Sequence, residues 1–258
     1  MRRDAPRKNC VACLMDKLKY FLKRKEVREQ LNKSPSELLS MDFNRDPFRA
    51  IYYDKNVMLS PADGFVLYAK EVDPAQDIIN VKGGDYCVNT LLREEIKERC
   101  LVIGIFMTAI DPHVNRVPTN GFVSFEKLPC LKVTNLSMRP IEKAILDELK
   151  IDYDNMKYAF YNEAYKNKIL VPHLDQSYWL IQIADFEVDV IAHFGKQMDF
   201  FTQGERFSVI KFGSQVDLIL PLYPGKCKFK SLVPDDGIYH VQAGVDPIVR
   251  IARGKDNL

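Results

Sequence analysis

From about Val57 onward the chain alternates between short apolar runs and clusters of Pro, Gly and Asp. Apolar runs that contain many β-branched and aromatic residues and end at turn residues predict β-strands. We predict strands at Phe65–Val72, Leu101–Ala109, Gly121–Lys127, Tyr178–Val190, Phe207–Phe212, Val216–Leu222 and Pro247–Arg253. The larger part of the chain is therefore expected to be built from short strands.

Helical periodicity is found mainly outside these strands. It predicts helices at Asn9–Lys33, in a short stretch near Tyr86–Glu98, and at Pro140–Lys150. In the last of these, proline suits the first turn, and Ile141, Ile145 and Leu149 recur on one face. Helices first and strands afterwards favour α+β over an alternating parallel sheet. We expect an α+β fold: one β-rich core of mainly antiparallel short strands, an N-terminal amphipathic helix and a few short helices.

The first predicted helix is basic. Residues 1–33 carry eleven Lys/Arg against four Asp/Glu, a net charge of +7, which leaves −5 on the other 225 residues. Its apolar positions recur at helical spacing beside basic ones: Leu14, Leu18, Phe21 and Leu22 with Lys17, Lys19, Lys23, Arg24, Lys25 and Arg28. Such a helix lies on an anionic membrane, or it packs on its own domain with the basic face in solvent. The sequence leaves both open.

The composition is ordinary for a globular protein, with 47% hydrophobic and 28% charged residues in a chain of 258. We expect a basic helical region at residues 1–39 and one compact domain at residues 40–258. The sequence has no run of about 18 to 20 apolar residues and no apolar core of a secretory signal. We therefore expect a cytoplasmic protein without a transmembrane segment.

The cysteines and most of the histidines do not suggest a metal site. Six cysteines occur at positions 10, 13, 87, 100, 130 and 227, and of these only Cys10 and Cys13 form a CxxC pair. A zinc site would need a second pair or histidines at ligand spacing. His173, His193 and His240 stand far apart, so we interpret them as structural, the thiols as reduced, and the protein as metal-free.

Three motifs carry the candidate chemistry. They are Ser60-Pro61-Ala62-Asp63-Gly64, Asp111-Pro112-His113-Val114-Asn115-Arg116, and Phe212-Gly213-Ser214 followed by Val216-Asp217-Leu218. Singly, Asp-Gly and Gly-Ser are turn or loop dipeptides, and a lone histidine is usually structural. Together and in this order, the motifs resemble the phosphatidylserine decarboxylase family over about residues 40–253. The resemblance identifies residues 40–258 as a catalytic domain.

The resemblance implies that the chain cuts itself between Gly213 and Ser214. A hydroxyl directly after glycine can attack the preceding carbonyl if the backbone is bent, and glycine tolerates such conformations. The attack produces an ester, β-elimination breaks the chain, and the resulting dehydroalanine hydrolyses with loss of ammonia. The products would be a β chain ending at Gly213 and an α chain whose first group is a pyruvoyl cofactor made from Ser214.

The resemblance also implies roles for two further residues, and this chain departs from the family at a third. His113 would take the proton from Ser214, and Asp63 would orient the imidazole, fix its tautomer and stabilise its cation. Many family members carry a second histidine where this chain has Arg116. This departure leaves both proton transfers to His113, or gives one to water. Arg116 is instead a candidate for binding a substrate carboxylate or phosphate.

The implied activity is decarboxylation of phosphatidylserine to phosphatidylethanolamine and carbon dioxide. The expected partners are the lipid, an anionic membrane surface to which the enzyme binds peripherally, and a second copy in a homodimer, but no nucleic acid. Two alternatives stay open. One is a pyruvoyl-dependent decarboxylase of a free amino acid, for example an aromatic one. The other is a non-catalytic, membrane-associated paralogue that never matures.

Overall fold

The computed structural model describes residues 22–31, 45–81, 84–129, 135–185, 191–211, 214–234 and 238–252. The helices in these ranges are α1 (Lys25–Leu31), α2 (Val88–Leu92), α3 (Arg139–Glu148) and α4 (Tyr158–Tyr161), with 3-10 turns at Tyr153–Asn155 and Pro172–Leu174. The strands are β1 (Val57–Leu59), β2 (Gly64–Val72), β3 (Cys100–Met107), β4 (Val114–Arg116), β5 (Gly121–Leu128), β6 (Ala164–Val171), β7 (Gln176–Ala184), β8 (Ile191–His193), β9 (Asp199–Phe201), β10 (Arg206–Ile210), β11 (Ser214–Pro221), β12 (Lys228–Ser231), β13 (Tyr239–Val241) and β14 (Pro247–Ala252).

The strands form one large sheet and two small ones. The large sheet has eight strands in the order β13-β2-β3-β11-β7-β6-β5-β9, and the small sheets have the orders β1-β14-β12 and β4-β10-β8. Every described strand pairing is antiparallel. The predicted α+β class, with mainly antiparallel strands and a few short helices, is confirmed.

The large sheet is buried on both faces. On β11, Val216, Leu218 and Leu220 belong to one apolar cluster, whereas Ile219 belongs to another. The first cluster includes residues of the two small sheets: Met58, Phe207, Ile210, Val249 and Ile251. The second includes residues of the helices: Leu91, Leu92, Ile141, Ile145 and Tyr158. The small sheets therefore cover one face of the large sheet, and the helices cover the other.

Six of the seven predicted strands are confirmed to within about two residues over their described parts. The seventh, predicted at Tyr178–Val190, is observed as Gln176–Ala184, and residues 186–190 lie outside the described ranges. Strand β6 was not predicted, because Lys166, Asn167 and Lys168 interrupt its apolar pattern. Asn167 is nevertheless buried and donates to the Leu180 carbonyl oxygen at 3.0 Å, so its polarity is satisfied inside the sheet.

The helix predictions are confirmed in part. The helix predicted at Pro140–Lys150 is observed as α3, which ends where Leu149 adopts a left-handed φ of 50°. The stretch near Tyr86–Glu98 is helical only over α2, because Arg93 turns left-handed with a φ of 51°. Of the helix predicted at Asn9–Lys33, the structure confirms α1, and residues 9–21 and 32–33 lie outside the described part of the chain.

Helix α1 packs on the domain. Val27 is buried in a small cluster with Ile110, and Leu22 and Leu146 pack against the same cluster. The basic side chains of this region are exposed: Lys23, Arg24, Lys25 and Arg28. The described part of the N-terminal region thus has its apolar side against its own domain and its basic side in solvent.

A polar network lies within the helix-covered face of the sheet. Asp217 of β11 is fully buried there and accepts hydrogen bonds from Tyr68 Oη and from Gln215 Nε2, the latter at 2.9 and 3.0 Å to its two oxygens. Gln215 Nε2 also contacts Tyr86 Oη at 2.7 Å. Burial raises the pKa of Asp217 to about 7, although the hydrogen bonds from Tyr68 and Gln215 oppose this shift. The network fixes the strand directly after Ser214.

The raised pKa predicts how Asp217→Asn changes stability. Because the folded protein favours the protonated acid, this group contributes stability that is fully present below about pH 4 and lost as the pH rises through about 7. In an uncleavable Ser214→Ala chain, the unfolding free energy of Asp217→Asn relative to its parent should rise by about 2 kcal/mol between about pH 5 and about pH 8. Urea unfolding at both pH values measures this difference. A difference that does not depend on pH would contradict the raised pKa.

Candidate active site

The three motifs meet at one end of three central strands of the large sheet. Strand β3 lies between β2 and β11, with Phe106 opposite Phe65 and Met107 opposite Ser214. Because the pairings are antiparallel, the end of β3 lies beside the start of both neighbours. Asp63 directly precedes β2, Ser214 begins β11, and the chain that leaves β3 reaches His113 within six residues.

Gly64 allows the first motif to approach β3 closely. Its φ is 149°, and a Cβ at this position would lie 2.2 Å from the carbonyl oxygen of Phe106. No side chain fits there, so glycine is required for both its conformation and its size. The Asp-Gly pair thus places the Asp63 side chain at the end of β3.

Ser214 is fully buried and paired on both sides, to Met107 of β3 and to Ala184 of β7. Its Oγ donates to Met107 Sδ at 3.1 Å. These contacts define the position of Ser214, the candidate nucleophile. Phe212 and Gly213 lie outside the described residues.

His113 is buried beside the strand that leads to Ser214. Its carbonyl oxygen accepts from the Ile210 amide at 3.1 Å, four residues before Ser214. Burial lowers the pKa of His113 to about 4, the Asp111 carboxylate opposes this, and Arg45 lowers it further. At neutral pH the imidazole is therefore uncharged and able to accept a proton.

Asp63 is held by an arginine that the sequence analysis did not single out. Arg49 Nη1 and Nη2 donate to the two Asp63 oxygens at 2.7 and 2.6 Å, and Nη1 also donates to the Ala243 carbonyl oxygen at 2.7 Å. Both side chains of this ion pair are more than nine-tenths buried. Burial raises the pKa of Asp63, and Arg49 opposes that shift.

A second buried pair joins Asp111 to His240, which the sequence analysis interpreted as structural. The distance from His240 Nε2 to Asp111 Oδ1 is 2.7 Å, and Asp111 Oδ2 accepts from the Thr108 amide and hydroxyl at 2.9 and 2.7 Å. Burial works against ionisation of Asp111, but His240 and Thr108 hold the pKa of this carboxyl below its usual value. Strand β13 brings His240 to this place by pairing with β2, opposite Phe65.

The loop between β3 and β4 is fixed from three directions. Glu142 Oε1 of α3 accepts from the Ala109 amide at 2.6 Å, and Arg45 donates to the Ile110 carbonyl oxygen. Val27 of α1 packs on the Ile110 side chain. The segment that carries His113 is therefore held in one position by distant parts of the chain.

The structure brings the predicted residues to one end of the central strands. It also shows two buried pairs there, Arg49 with Asp63 and His240 with Asp111. The charges that act on the pKa of Asp63 are those of Arg49, Asp111 and His240. The carboxylate that acts on the pKa of His113 is Asp111. The order Asp63, His113, Ser214 remains a prediction, and Asp111 is a second carboxylate that can support His113.

Arg116 lies at a large pocket beside this site. Its Nη1 donates to the Gly204 carbonyl oxygen and its Nη2 to Asp46 Oδ1, both at 2.8 Å, and Asp46 also pairs with Arg206. A pocket of about 1040 Å³ is lined by Arg49, Arg116 and Arg206 and by Asp46 and Glu205. The pocket thus combines three guanidinium groups with two carboxylates, of which Asp46 pairs with both Arg116 and Arg206.

The sequence model of the family described as phosphatidylserine decarboxylase matches residues 37–246. A Phosphatidylserine decarboxylase proenzyme of Ralstonia pickettii is 30% identical over 72% of this chain and 69% of its own length. One of Beijerinckia indica is 30% identical over 69% of this chain and 62% of its own length. A Methanocaldococcus jannaschii protein, provisionally named an archaetidylserine decarboxylase proenzyme, is 28% identical over 71% of this chain and 79% of its own length.

The matched residues include all three motifs and the strands that bring them together. More than half of the chain lies within the family match, and the buried groups at the end of β3 belong to that part. The chain is therefore a member of the phosphatidylserine decarboxylase family.

Proposed function

We propose that this protein cleaves itself between Gly213 and Ser214 and then decarboxylates phosphatidylserine to phosphatidylethanolamine with the pyruvoyl group so formed. The observation that carries the proposal is the convergence at the end of β3, where Ser214, Asp63 and the loop of His113 come together. The family match and the names of the relatives support the same activity.

In the proposed self-cleavage, neutral His113 takes the proton of Ser214 Oγ as this oxygen attacks the Gly213 carbonyl carbon. The new C–O bond replaces the peptide C–N bond, and the released nitrogen takes a proton. Loss of the Ser214 Cα proton then breaks its Cβ–Oγ bond and frees the Gly213 carboxylate. Water finally replaces the nitrogen of the dehydroalanine, which leaves as ammonia.

The site at the head of β11 fits a pyruvoyl group. Position 214 is fully buried, beside the thioether of Met107, and the strand after it is fixed by the hydrogen bonds of Gln215. A pyruvoyl group at this position would supply a carbonyl able to bind the substrate amine and to withdraw electrons from the bond to its carboxylate. The protein's own contribution is to exclude water and to hold His113 close by as a proton carrier.

The pocket beside the site is proposed to take the lipid headgroup. Arginine forks bind phosphate and carboxylate groups in two-point contacts, and Arg116 and Arg206 are held together here by the Asp46 carboxylate. An anionic substrate group would compete with Asp46 for these two arginines. One relative is named for archaetidylserine and others for phosphatidylserine, lipids with the same serine headgroup.

We propose that the enzyme works at an anionic membrane surface and as a homodimer. The exposed basic residues Lys23, Arg24, Lys25 and Arg28 support contact with anionic lipid. Within the described ranges, no helix combines the length and the apolar character needed to cross a bilayer. The proposal of a dimer rests on the general preference of such enzymes for two-fold symmetry.

The two alternatives make different predictions in the same assay. A decarboxylase of free amino acids would release carbon dioxide from serine or an aromatic amino acid without lipid, and a non-catalytic paralogue would release none. The pocket of about 1040 Å³ favours a lipid headgroup with part of its chains over a free amino acid. Carbon dioxide release with and without phosphatidylserine micelles separates the three cases.

Ser214→Ala should abolish self-cleavage, because the attacking oxygen is removed. On a denaturing gel the wild-type chain should give two fragments, residues 1–213 and 214–258, the smaller with a blocked N-terminus, whereas the variant should stay whole. Intact mass identifies the cut. A wild-type chain that folds but stays uncut would exclude the proposed function and favour the paralogue.

The low pKa of His113 predicts an unusual pH profile of self-cleavage. With a pKa of about 4 the imidazole stays neutral, so the rate constant should be level from about pH 8 to about pH 5 and fall only at lower pH. An ordinary histidine would cause the fall near pH 6.5 instead. Precursor from cell-free synthesis, followed by gel after transfer to each pH, provides the measurement.

His113→Ala and Asp63→Asn should each slow the cut by about 100-fold or more, and near-normal cleavage would remove that residue from the relay.

Substitutions at Arg116 and Asp46 should change KM in opposite directions. Arg116→Ala should raise the KM for phosphatidylserine by about tenfold, because a charged two-point contact is lost. Asp46→Asn should lower KM several-fold, because it removes the carboxylate that competes for Arg116 and Arg206. Fully self-cleaved variants are assayed in mixed micelles, with Arg116→Lys as the variant that keeps the charge but not the fork. An unchanged KM in both substitutions would place the headgroup elsewhere.

A further inference from the structure

The segment from Arg45 to Asn56, which we call the strap, has inward charges and outward aromatic side chains over much of its length. It has no regular secondary structure, and it crosses the surface beside the arginine-lined pocket. Three of its five charged side chains point into the protein: Arg45 to the Ile110 carbonyl oxygen, Asp46 to Arg116, and Arg49 to Asp63. The other two, Asp54 and Lys55, are exposed. The three inward charges fasten the first half of the strap to the site.

The aromatic side chains of the strap point outward. Phe48 is 93% exposed, Tyr52 82% and Tyr53 60%. Phe194, from the chain after β8, is 54% exposed and lies at the same pocket. Single exposed apolar residues are common, but several large ones grouped at the rim of a pocket mark a surface that meets an apolar partner.

The exposed charges around these aromatic residues are of both signs. Lys55 and Arg206 are exposed beside Asp54 and Glu205. Arg49 and Arg116 lie beneath and are paired with Asp63 and Asp46. Exposed aromatic side chains among charged ones suit the boundary between the headgroups and acyl chains of a phospholipid bilayer, where tyrosine keeps its hydroxyl in water. In the described part of the N-terminal region, by contrast, the apolar residues Leu22 and Val27 already pack on the domain.

We propose that the strap docks this protein on a phospholipid bilayer that contains phosphatidylserine, with Phe48, Tyr52 and Tyr53 inserted among the headgroups. The pocket that the strap borders would then open at the membrane, so that a lipid headgroup could reach Arg116 and Arg206 while its acyl chains stay in the apolar layer. The lipid nature of the substrate is taken from the proposed function, but the docking surface itself does not depend on catalysis.

The test uses the full-length, uncleavable Ser214→Ala chain and vesicles of phosphatidylcholine with or without phosphatidylserine. We expect sedimentation with the phosphatidylserine vesicles, and Phe48→Ser/Tyr52→Ser should weaken this binding by about tenfold or more. Leu149→Asn is the matched control. It removes an exposed apolar side chain at the end of α3, on the opposite side of the large sheet, at a left-handed position that asparagine tolerates.

Two further variants distinguish membrane binding by the strap from binding by the basic N-terminal residues, and they report the position of Tyr52 at the membrane. The loss caused by Phe48→Ser/Tyr52→Ser should persist when Lys23, Arg24 and Lys25 are all changed to Gln. Emission from Tyr52→Trp, with the signal of the parent subtracted, should shift to the blue and be quenched by brominated lipid only when phosphatidylserine is present. In the chain that retains Ser214, Phe48→Ser/Tyr52→Ser should still cleave itself, which shows that the fold is intact.

The proposal is overturned if the parent does not bind the vesicles, if Phe48→Ser/Tyr52→Ser binds as the parent does, or if Leu149→Asn binds as weakly. It is also overturned if the strap variant leaves vesicle binding unchanged but converts a dimer into monomers in sedimentation velocity, because the strap would then be a contact between copies of this chain. Failure of wild-type self-cleavage would remove the proposed function and leave this binding result standing.

Discussion

The site depends on the pairing of β3 with β2 on one side and β11 on the other. These three strands are buried on both faces over most of their length, so a slip of one residue would turn apolar side chains toward the polar network and the network toward the apolar cluster. The register is therefore strongly specified. The same register sets Phe65 opposite Phe106 and Ser214 opposite Met107, which brings the start of two distant strands to one point.

Buried charges fix the surroundings of that point. Asp63 and Asp111 are both buried, and an ionised carboxylate in such a place is stable only when it is paired and hydrogen-bonded. Arg49 pairs with Asp63, and His240 pairs with Asp111. In the sequence, Arg49 lies early in the domain and His240 lies late. The cluster exists only when the whole domain has folded. In the proposed mechanism, self-cleavage therefore follows folding and cannot precede it.

Much of the fold could be predicted because the central strands are continuous apolar runs with clear ends. Strand β6 was missed, since a buried Asn167 that bonds across to β7 looks like a surface residue in the sequence. Asp63, His113 and Ser214 were singled out as candidates because they lie in sequence motifs. Arg49 and His240 carried no such signal, because each acquires its meaning from a partner that only the tertiary structure brings near: His240 is 129 residues from Asp111. Pairs of this kind cannot be inferred from local pattern or composition.

The sulfur that faces Ser214 has a consequence for the timing of the chemistry. A thioether is a weak acceptor with no proton of its own and no charge, so Met107 can orient the hydroxyl without polarising it. A carboxylate or an imidazole in the same place would draw on the hydroxyl proton as soon as the strand formed. In the proposed self-cleavage, the Ser214 hydroxyl would therefore have to rotate away from the sulfur, at little cost, before its oxygen could attack the Gly213 carbonyl carbon.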